Sequence, residues 1–204
     1  MTVSILAKGI ADLEKYFAAL PEIAGEAVAL AINDVSSKKG MTLIRKTMRS
    51  QIAFPKGYLE RDGRLMVHRK ATRGRLEATI RGRDRATSLA RFALPGQVGI
   101  NNRHGIKVMV QPGKVRTMRR AFMMKLNSGN VGLAMRLNDG EEPSHTQGAF
   151  HLGDKNPRLK NLWLFYGPSV DQVFADVAED VKPPIGDMIE KEFLRQFARL
   201  VRRG

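Results

Sequence analysis

The sequence predicts an α+β fold: a mixed or antiparallel sheet covered by N-terminal and C-terminal helices, with long basic loops. The main observation is that apolar residues recur every three or four positions near both ends of the chain, but alternate with polar residues in the middle. A second observation is that 43% of the 204 residues are apolar, which is enough to build a hydrophobic core. We therefore expect a single domain spanning residues 1–204.

The first third of the chain is predicted to be helical. A helix is expected over residues 10–19, where apolar residues share one face, and Pro21 interrupts it. A second helix is expected from residue 22 to about residue 50. Weak helix formers surround Gly40 in this segment, and they predict a kink or a break there.

The middle of the chain is predicted to form the sheet. Apolar and polar residues alternate in segments near 64–81, 105–111 and 121–137, as expected for strands with one buried face. Residues 122–126 and 131–137 flank the run Asn127-Ser128-Gly129-Asn130, which predicts a β-hairpin. The polar segments between these elements are interpreted as loops that become ordered in an assembly: residues 87–103, residues 111–120 and the insertion 138–160.

The C-terminal part is predicted to contain two helices. Ser169 and Gln172 have the spacing of a helix capping box, which predicts a first helix over residues 170–180. Pro183-Pro184 is expected to open a separate last helix, in which apolar residues keep helical spacing as far as Val201.

The positive charge is concentrated in the middle of the chain. The formal net charge is +15, and residues 45–120 contain 20 Lys and Arg against 4 Asp and Glu. Such a segment favours an anionic partner, which on charge alone is nucleic acid, an acidic protein surface or an anionic lipid surface. Because aromatic residues are scarce in this segment, contacts to phosphates are favoured over base stacking. Eight arginines are predicted to lie at an interface or a DNA-facing surface: Arg73, Arg75, Arg81, Arg83, Arg85, Arg116, Arg119 and Arg120.

No residue pattern predicts catalysis, a cofactor or a metal site. The chain has no cysteine, which excludes disulfides, thiolate nucleophiles and cysteine-ligated zinc. His145, His151 and Asp154 do not match a zinc-binding spacing, and the sequence around Ser169 lacks the second glycine of a nucleophile elbow. The nearby acidic cluster is interpreted as part of a solvated loop: Asp139, Glu141 and Glu142. We therefore expect that the protein is not an enzyme.

The sequence also predicts no membrane association. No stretch approaches the roughly 18 consecutive apolar residues of a membrane span, and the N-terminal run becomes charged before the core of a signal peptide could form. A location in the cytoplasm is therefore expected.

The chain contains three sets of sequence motifs that are informative in combination. The first is Phe54-Pro55-Lys56-Gly57-Tyr58-Leu59, which leads into Arg64-Leu65 and Leu76-Glu77-Ala78-Thr79-Ile80. The second is Arg120-Ala121-Phe122 with Gly132 and Arg136, and the third is Leu164-Phe165-Tyr166-Gly167-Pro168-Ser169-Val170 before the C-terminal helices. In these motifs, and in the order of its elements over roughly residues 10–200, the chain resembles the lambda-type minor tail protein Z family of tailed phages. The insertion 138–160 does not fit the family pattern, and its role stays open.

The resemblance implies a tail-completion protein, which is a structural subunit of a tailed bacteriophage. Such a subunit would form a sixfold ring at the head-proximal end of the tail and would be needed for head–tail joining. The implied partners are other copies of itself and adjacent tail and neck proteins, and contact with genome DNA passing through the lumen is left open. The implied location is the virion tail or neck, after assembly in the host cytoplasm, and the family brings no cofactor or reaction.

Two other functions compete with this one. The main alternative is a nucleic-acid-binding protein that contacts phosphates without sequence specificity. An enzyme, such as a nuclease, comes third. Whether the arginines face DNA or protein is not decided by the sequence.

Overall fold

A computed structural model describes residues 2–6, 18, 20–96, 105–143, 148–154 and 156–203, with the backbone alone for residues 2–6. In these ranges the chain has the expected α+β composition, with antiparallel strands and with helices towards both ends. The chain divides into two compact units. The first unit comprises Met1–Met48, Leu59–Asp84 and Asp171–Gly204, and the second comprises Arg49–Tyr58 and Arg85–Val170.

The sheet of the first unit has three antiparallel strands in the order β1-β3-β2, formed by β1 (Thr2–Leu6), β2 (Leu65–Arg69) and β3 (Glu77–Gly82). Val67 pairs with Ile80, so the two strands predicted near residues 64–81 are neighbours. Ala78 and Ile80 are fully buried, which agrees with the predicted buried face. The strand β1 was not predicted from the sequence.

Two helices lie between β1 and β2 in the sequence, and they confirm the predicted break near Gly40. Helix α1 covers Pro21–Ser37, and helix α2 covers Lys39–Gln51. An ideal Cβ at Gly40 would lie 2.8 Å from the carbonyl oxygen of Val35, so glycine allows the close approach at this junction. The helix predicted over residues 10–19 lies outside the described residues, apart from Ala18, which is helical.

One long helix, α3 (Val170–Val201), ends the chain. It begins directly after Ser169, as the capping pattern predicts, but the prediction that Pro183-Pro184 opens a separate helix is wrong, because both prolines lie inside α3. The buried residues of α3 continue at intervals of three or four through this point: Val170, Phe174, Val177, Val181, Ile185, Ile189 and Phe193. This continuous apolar stripe keeps both halves on one axis. Pro183 and the residues one turn earlier, Glu179 and Asp180, are exposed, so the carbonyl groups without helical donors can be hydrated.

The second unit contains two further sheets. Its larger sheet has the strand order β4-β10-β8-β7, with β9 also paired to β10; the strands are β4 (Ala86–Ser88), β7 (Ala121–Lys125), β8 (Val131–Arg136), β9 (Ala149–His151) and β10 (Leu162–Ser169). Strands β7 and β8 form the predicted hairpin, with Met123 opposite Leu133. Strands β5 (Ile106–Gln111) and β6 (Lys114–Met118) form a separate antiparallel pair. The strands that were expected to share one sheet therefore belong to three.

The larger sheet is apolar on both faces. Leu133 belongs to a buried cluster with Ile106, Val108, Ala121 and Met123, while its neighbour Ala134 belongs to a second cluster with Leu162 and Leu164. Adjacent residues of a strand point to opposite faces, so both faces of β8 are covered.

The segments that were interpreted as loops contain regular structure. Residues 111–120 form the turn and the second strand of the β5–β6 pair rather than a loop. Within 87–103, a 3₁₀ turn covers Leu89–Phe92, and residues 97–103 lie outside the described residues. The insertion 138–160 contains β9 and a 3₁₀ turn over Pro157–Leu159. Residues 144–147, which include His145, and residue 155 lie outside the described residues.

Candidate macromolecular interface

Four of the eight predicted interface arginines lie in the first unit, and they differ in their surroundings. The exposed Arg73 forms an ion pair with Glu26, and Arg75 donates a hydrogen bond to the carbonyl oxygen of Lys70 at 3.0 Å. Arg83 is half-buried. Arg81 is exposed, and its side chain has no hydrogen-bond or ion-pair partner among the described residues. Within this unit, Arg81 is the predicted arginine best placed to meet an external partner.

The other four arginines lie in the second unit. Arg120 donates to Glu141 at 2.6 Å and to the carbonyl oxygen of Arg136 at 3.1 Å, so its guanidinium is used within the unit. Arg85, Arg116 and Arg119 are exposed, and their side chains have no such partner in the part of the chain that the structure describes. In this unit, three of the predicted arginines are thus available to an external partner, whereas Arg120 is bonded within the unit.

Two of these available arginines belong to a basic ribbon, which we define as residues 106–119: strand β5, the turn, strand β6 and Arg119. Val108 pairs with Arg116, and Gln111 pairs with Lys114, with one extra residue of β5 between these pairs. Lys114 and Arg116, two positions apart on β6, share one face of the ribbon. Both are exposed, as are Val115 and Thr117 between and beside them.

The ribbon has a defined turn and a buried base. Pro112-Gly113 occupies the turn, and Gly113 has φ 77°, a combination that fits a type II turn. Ile106 and Val108 are buried in the core of the second unit. The backbone of β5 is also bonded on its other side, by Ala53 N–H to the oxygen of Val110 at 2.8 Å and by Leu94 N–H to the oxygen of Lys107 at 3.0 Å. The cations of β6 are therefore carried on an ordered support.

Charge is distributed unevenly between and within the units. By sequence, the second unit contains 15 Lys and Arg against 4 Asp and Glu, while the first contains 20 against 16. No Asp or Glu occurs between Asp84 and Asp139, so the ribbon has no acidic residue of its own. All four acidic residues of the second unit lie in the insertion: Asp139, Glu141, Glu142 and Asp154.

The insertion encloses an open cavity of about 510 Å³ in the second unit. Its lining includes His151, Trp163, Glu142 and Phe150, and the imidazole of His151 stacks on the indole of Trp163 with ring centroids 4.5 Å apart. Nδ1 of His151 lies 2.9 Å from a carboxylate oxygen of Asp154, and Nε2 lies against the carbonyl oxygen of Lys160. These contacts hold the insertion against strand β10.

The charged groups around this cavity neutralise one another in pairs. Lys160 donates to Asp139 at 2.9 Å and Asn161 donates to it at 2.6 Å; the Lys160 hydrogen bond is the larger cause that lowers the pKa of Asp139. The hydrogen bond from Arg120 lowers the pKa of Glu141 in the same way. The hydrogen bond to the Lys160 carbonyl, followed by that to Asp154, raises the pKa of His151. This region was predicted to be a solvated loop, because no local pattern in the sequence shows that these charged and polar groups meet.

A second open cavity, of about 330 Å³, lies in the first unit and is lined by residues of β2 and β3. Its lining combines basic and acidic side chains: His68, Arg69, Arg81, Asp84 and Asp171, with Thr79 and Gly82. Arg81 is thus a predicted interface arginine that lines this cavity.

The residues with described positions contain no group of three or more His, Asp or Glu side chains arranged to hold a metal ion. No described helix is both long enough and apolar enough to cross a lipid bilayer.

Comparison with known proteins gives no relative for this chain. No family model, no curated protein and no solved structure matches it.

Proposed function

We propose that this protein is a non-catalytic structural subunit of a tailed bacteriophage, a tail-completion or neck protein that forms a homo-oligomeric ring and joins tail to head. The observation that carries the proposal is the set of exposed arginines on ordered backbone: Arg81, Arg85, Arg116 and Arg119 have no side-chain partner among the described residues. A fold that leaves so many cations unpaired is suited to a large anionic surface. A small-molecule site would instead need a few convergent polar groups in an apolar pocket.

The positions of the resembling motifs also support the proposal. Phe54 stacks on Tyr58 with ring centroids 5.6 Å apart and contacts Phe92 at 5.9 Å, so the Phe54–Tyr58 part of the first motif builds core structure in the second unit. Arg120-Ala121-Phe122 starts β7, and residues 164–170 form the junction of β10 with α3. The motifs are therefore parts of the scaffold, as expected when a family is recognised by its architecture rather than by an active site.

Exposed apolar residues towards the end of α3 are consistent with contacts between copies. Leu194 and Val201 are each 44% exposed, although they lie on a helix whose opposite face is buried. Interfaces of homo-oligomers bury such residues. A ring contact at this end of α3 would cover them.

Electron microscopy of phage particles from the source strain tests the proposal. Antibodies raised against the purified chain should label tails at their head-proximal end. Native mass spectrometry of the particle-derived protein should give a complex of six chains, each of 22.7 kDa. Deletion of the gene should leave free heads and free tails. Particles that carry no label, together with normal head–tail joining in the deletion strain, would overturn the proposal.

A further inference from the structure

We propose that the basic ribbon is a binding site for the phosphate backbone of double-stranded DNA, and that it does not read base sequence. This inference goes beyond the proposed structural function, because it assigns a ligand class to one surface and holds or fails without reference to ring formation.

The ribbon carries exposed positive charge. Lys114 and Arg116 lie on one face of β6, Arg119 follows the strand at once, and all three are exposed. No acidic residue occurs within 54 positions around them, from residue 85 to residue 138. The local potential is therefore positive and is not cancelled within the ribbon, which favours a polyanion.

The backbone that carries the cationic side chains is preorganised. The Pro112-Gly113 turn, the pairing of β5 with β6 and the buried residues Ile106 and Val108 fix the backbone that carries the cations. Binding then has to order only the cationic side chains and not the backbone, which limits the entropic cost of association.

The composition of strand β6 favours DNA over an acidic protein surface as the partner of the ribbon. A stable protein interface has an apolar core enriched in aromatic residues and depleted in lysine. The exposed strand β6 instead contains lysine, arginine and threonine, with Val115 as its single strongly exposed apolar residue, at 49%. Charge without an apolar core is sufficient for phosphate contacts but not for a protein interface of ordinary affinity.

The lack of aromatic residues in the ribbon favours duplex over single-stranded nucleic acid as its ligand. Single strands are bound by stacking bases on aromatic side chains, and residues 106–119 contain no aromatic residue. A strand of six residues such as β5 is about 20 Å long, and about 20 Å of duplex axis carries about 12 phosphates. Three cations on such a ribbon can meet phosphates of a duplex without contacting a base edge.

The test uses the full chain and a labelled duplex of arbitrary sequence, with binding measured by fluorescence anisotropy over a range of salt concentrations. The ribbon variant is Lys114→Gln, Arg116→Gln and Arg119→Gln. The matched control is Lys191→Gln, Arg199→Gln and Arg202→Gln, which removes three exposed cations from the C-terminal part of the chain. A third variant keeps the ribbon charge while changing its shape: Lys114→Arg, Arg116→Lys and Arg119→Lys.

The expected result is that the ribbon variant loses at least about tenfold in affinity and reduces the slope of log K against log salt by about 2.7, which is about 0.9 for each lost phosphate contact. The control and the charge-retaining variant should keep the wild-type slope.

Equal losses in the ribbon variant and the control would overturn the inference, because they would indicate a diffuse charge effect. Loss of tail assembly in the ribbon variant with unchanged DNA binding would also overturn it, and would assign the ribbon to a protein partner. Absence of tail labelling together with normal head–tail joining in the deletion strain, by contrast, would overturn the proposed function alone.

Discussion

The imidazole ring of His151 lies against the indole ring of Trp163, with centroids 4.5 Å apart and planes inclined by 24°. Both ring nitrogens of His151 face acceptors: Nδ1 faces the Asp154 carboxylate at 2.9 Å, and Nε2 faces the Lys160 carbonyl oxygen. A neutral imidazole can donate to only one of these acceptors, whereas an imidazolium donates to both. Glu142 adds a further negative charge nearby. The folded protein therefore favours the protonated form of His151.

Stability of the insertion should depend on this protonation. The pKa of His151 is raised above 6.5, first by the Lys160 carbonyl and second by Asp154, so its contribution is fully present below about pH 6.5 and is lost as pH rises through the folded-state pKa. Proton NMR of the imidazole, assigned with a His151→Gln variant, should give a midpoint above 6.5. Asp154→Asn should lower that midpoint without removing the whole shift. A midpoint at or below 6.5 in the wild type would contradict this account.

Replacing the glycine at the junction of α1 and α2 should destabilise the fold, whereas replacing a glycine inside α3 should not. An added Cβ at Gly40 would lie 2.8 Å from the backbone oxygen of Val35, while one at Gly186 would meet no atom within 4 Å. We expect Gly40→Ala to lower the free energy of unfolding by about 1–3 kcal/mol through overpacking. Gly186→Ala should raise it by up to about 1 kcal/mol, because alanine is the better helix former. Urea unfolding followed by circular dichroism measures both, and equal effects at the two positions would refute the packing argument.

One side chain connects helix α1 to the segment between β2 and β3. Asn33 donates from Nδ2 to the carbonyl oxygen of Ala71 at 2.9 Å, and its Oδ1 accepts from the Ala71 N–H at 2.8 Å. Asn33→Asp keeps the shape and the acceptor but replaces the donor with an oxygen facing an oxygen. We expect a loss of about 1–3 kcal/mol in the free energy of unfolding. Asn130→Asp is the control, since that amide is exposed and bonds to Ser128 at 3.2 Å, its single partner among the described residues; its effect should stay within about 0.5 kcal/mol.

The sequence predicts elements best where local pattern and local chemistry agree. The β7–β8 hairpin has alternating apolar residues on both sides of a turn-forming run, and it was placed correctly. The basic ribbon was missed because Lys114 and Arg116 made residues 111–120 look like a polar loop, although Pro112-Gly113 is a hairpin turn sequence. Periodicity identified strands but not their partners, because pairing depends on residues far apart in the chain.

The same limit applies to Pro183-Pro184 and to the candidate site. Two prolines predict a helix boundary from local rules, whereas the buried stripe that continues from Val181 to Ile185 holds one helix together. Of the eight predicted arginines, composition gave no way to separate Arg120, which bonds to Glu141, from Arg119, which has no described partner. That difference depends on which acid lies near each guanidinium in three dimensions.

Ala134 of strand β8 lies on the face of the sheet that the sequence pattern assigns to solvent. Alternation along the strand predicts that Val131, Leu133, Met135 and Leu137 face the core, which would leave Ala134 on a solvated face. In the structure Ala134 is fully buried, with Phe122 opposite it on β7 and Leu164 opposite it on β10. An aspartate at this position would place a charge inside this buried apolar cluster.

We therefore expect Ala134→Asp to lower the free energy of unfolding by at least about 3 kcal/mol, which is in the range of a buried unpaired charge. Val131→Asp is the control, because Val131 lies on the same strand but is 40% exposed, and it should cost less than about 1 kcal/mol. Trp163 is the single tryptophan of the chain and lies on β10, one position from the residue that pairs with Ala134, so its fluorescence reports unfolding of this sheet directly. If Ala134→Asp is as mild as Val131→Asp, the second face of the sheet is solvated, and the cluster of Ala134, Leu162 and Leu164 does not form in solution.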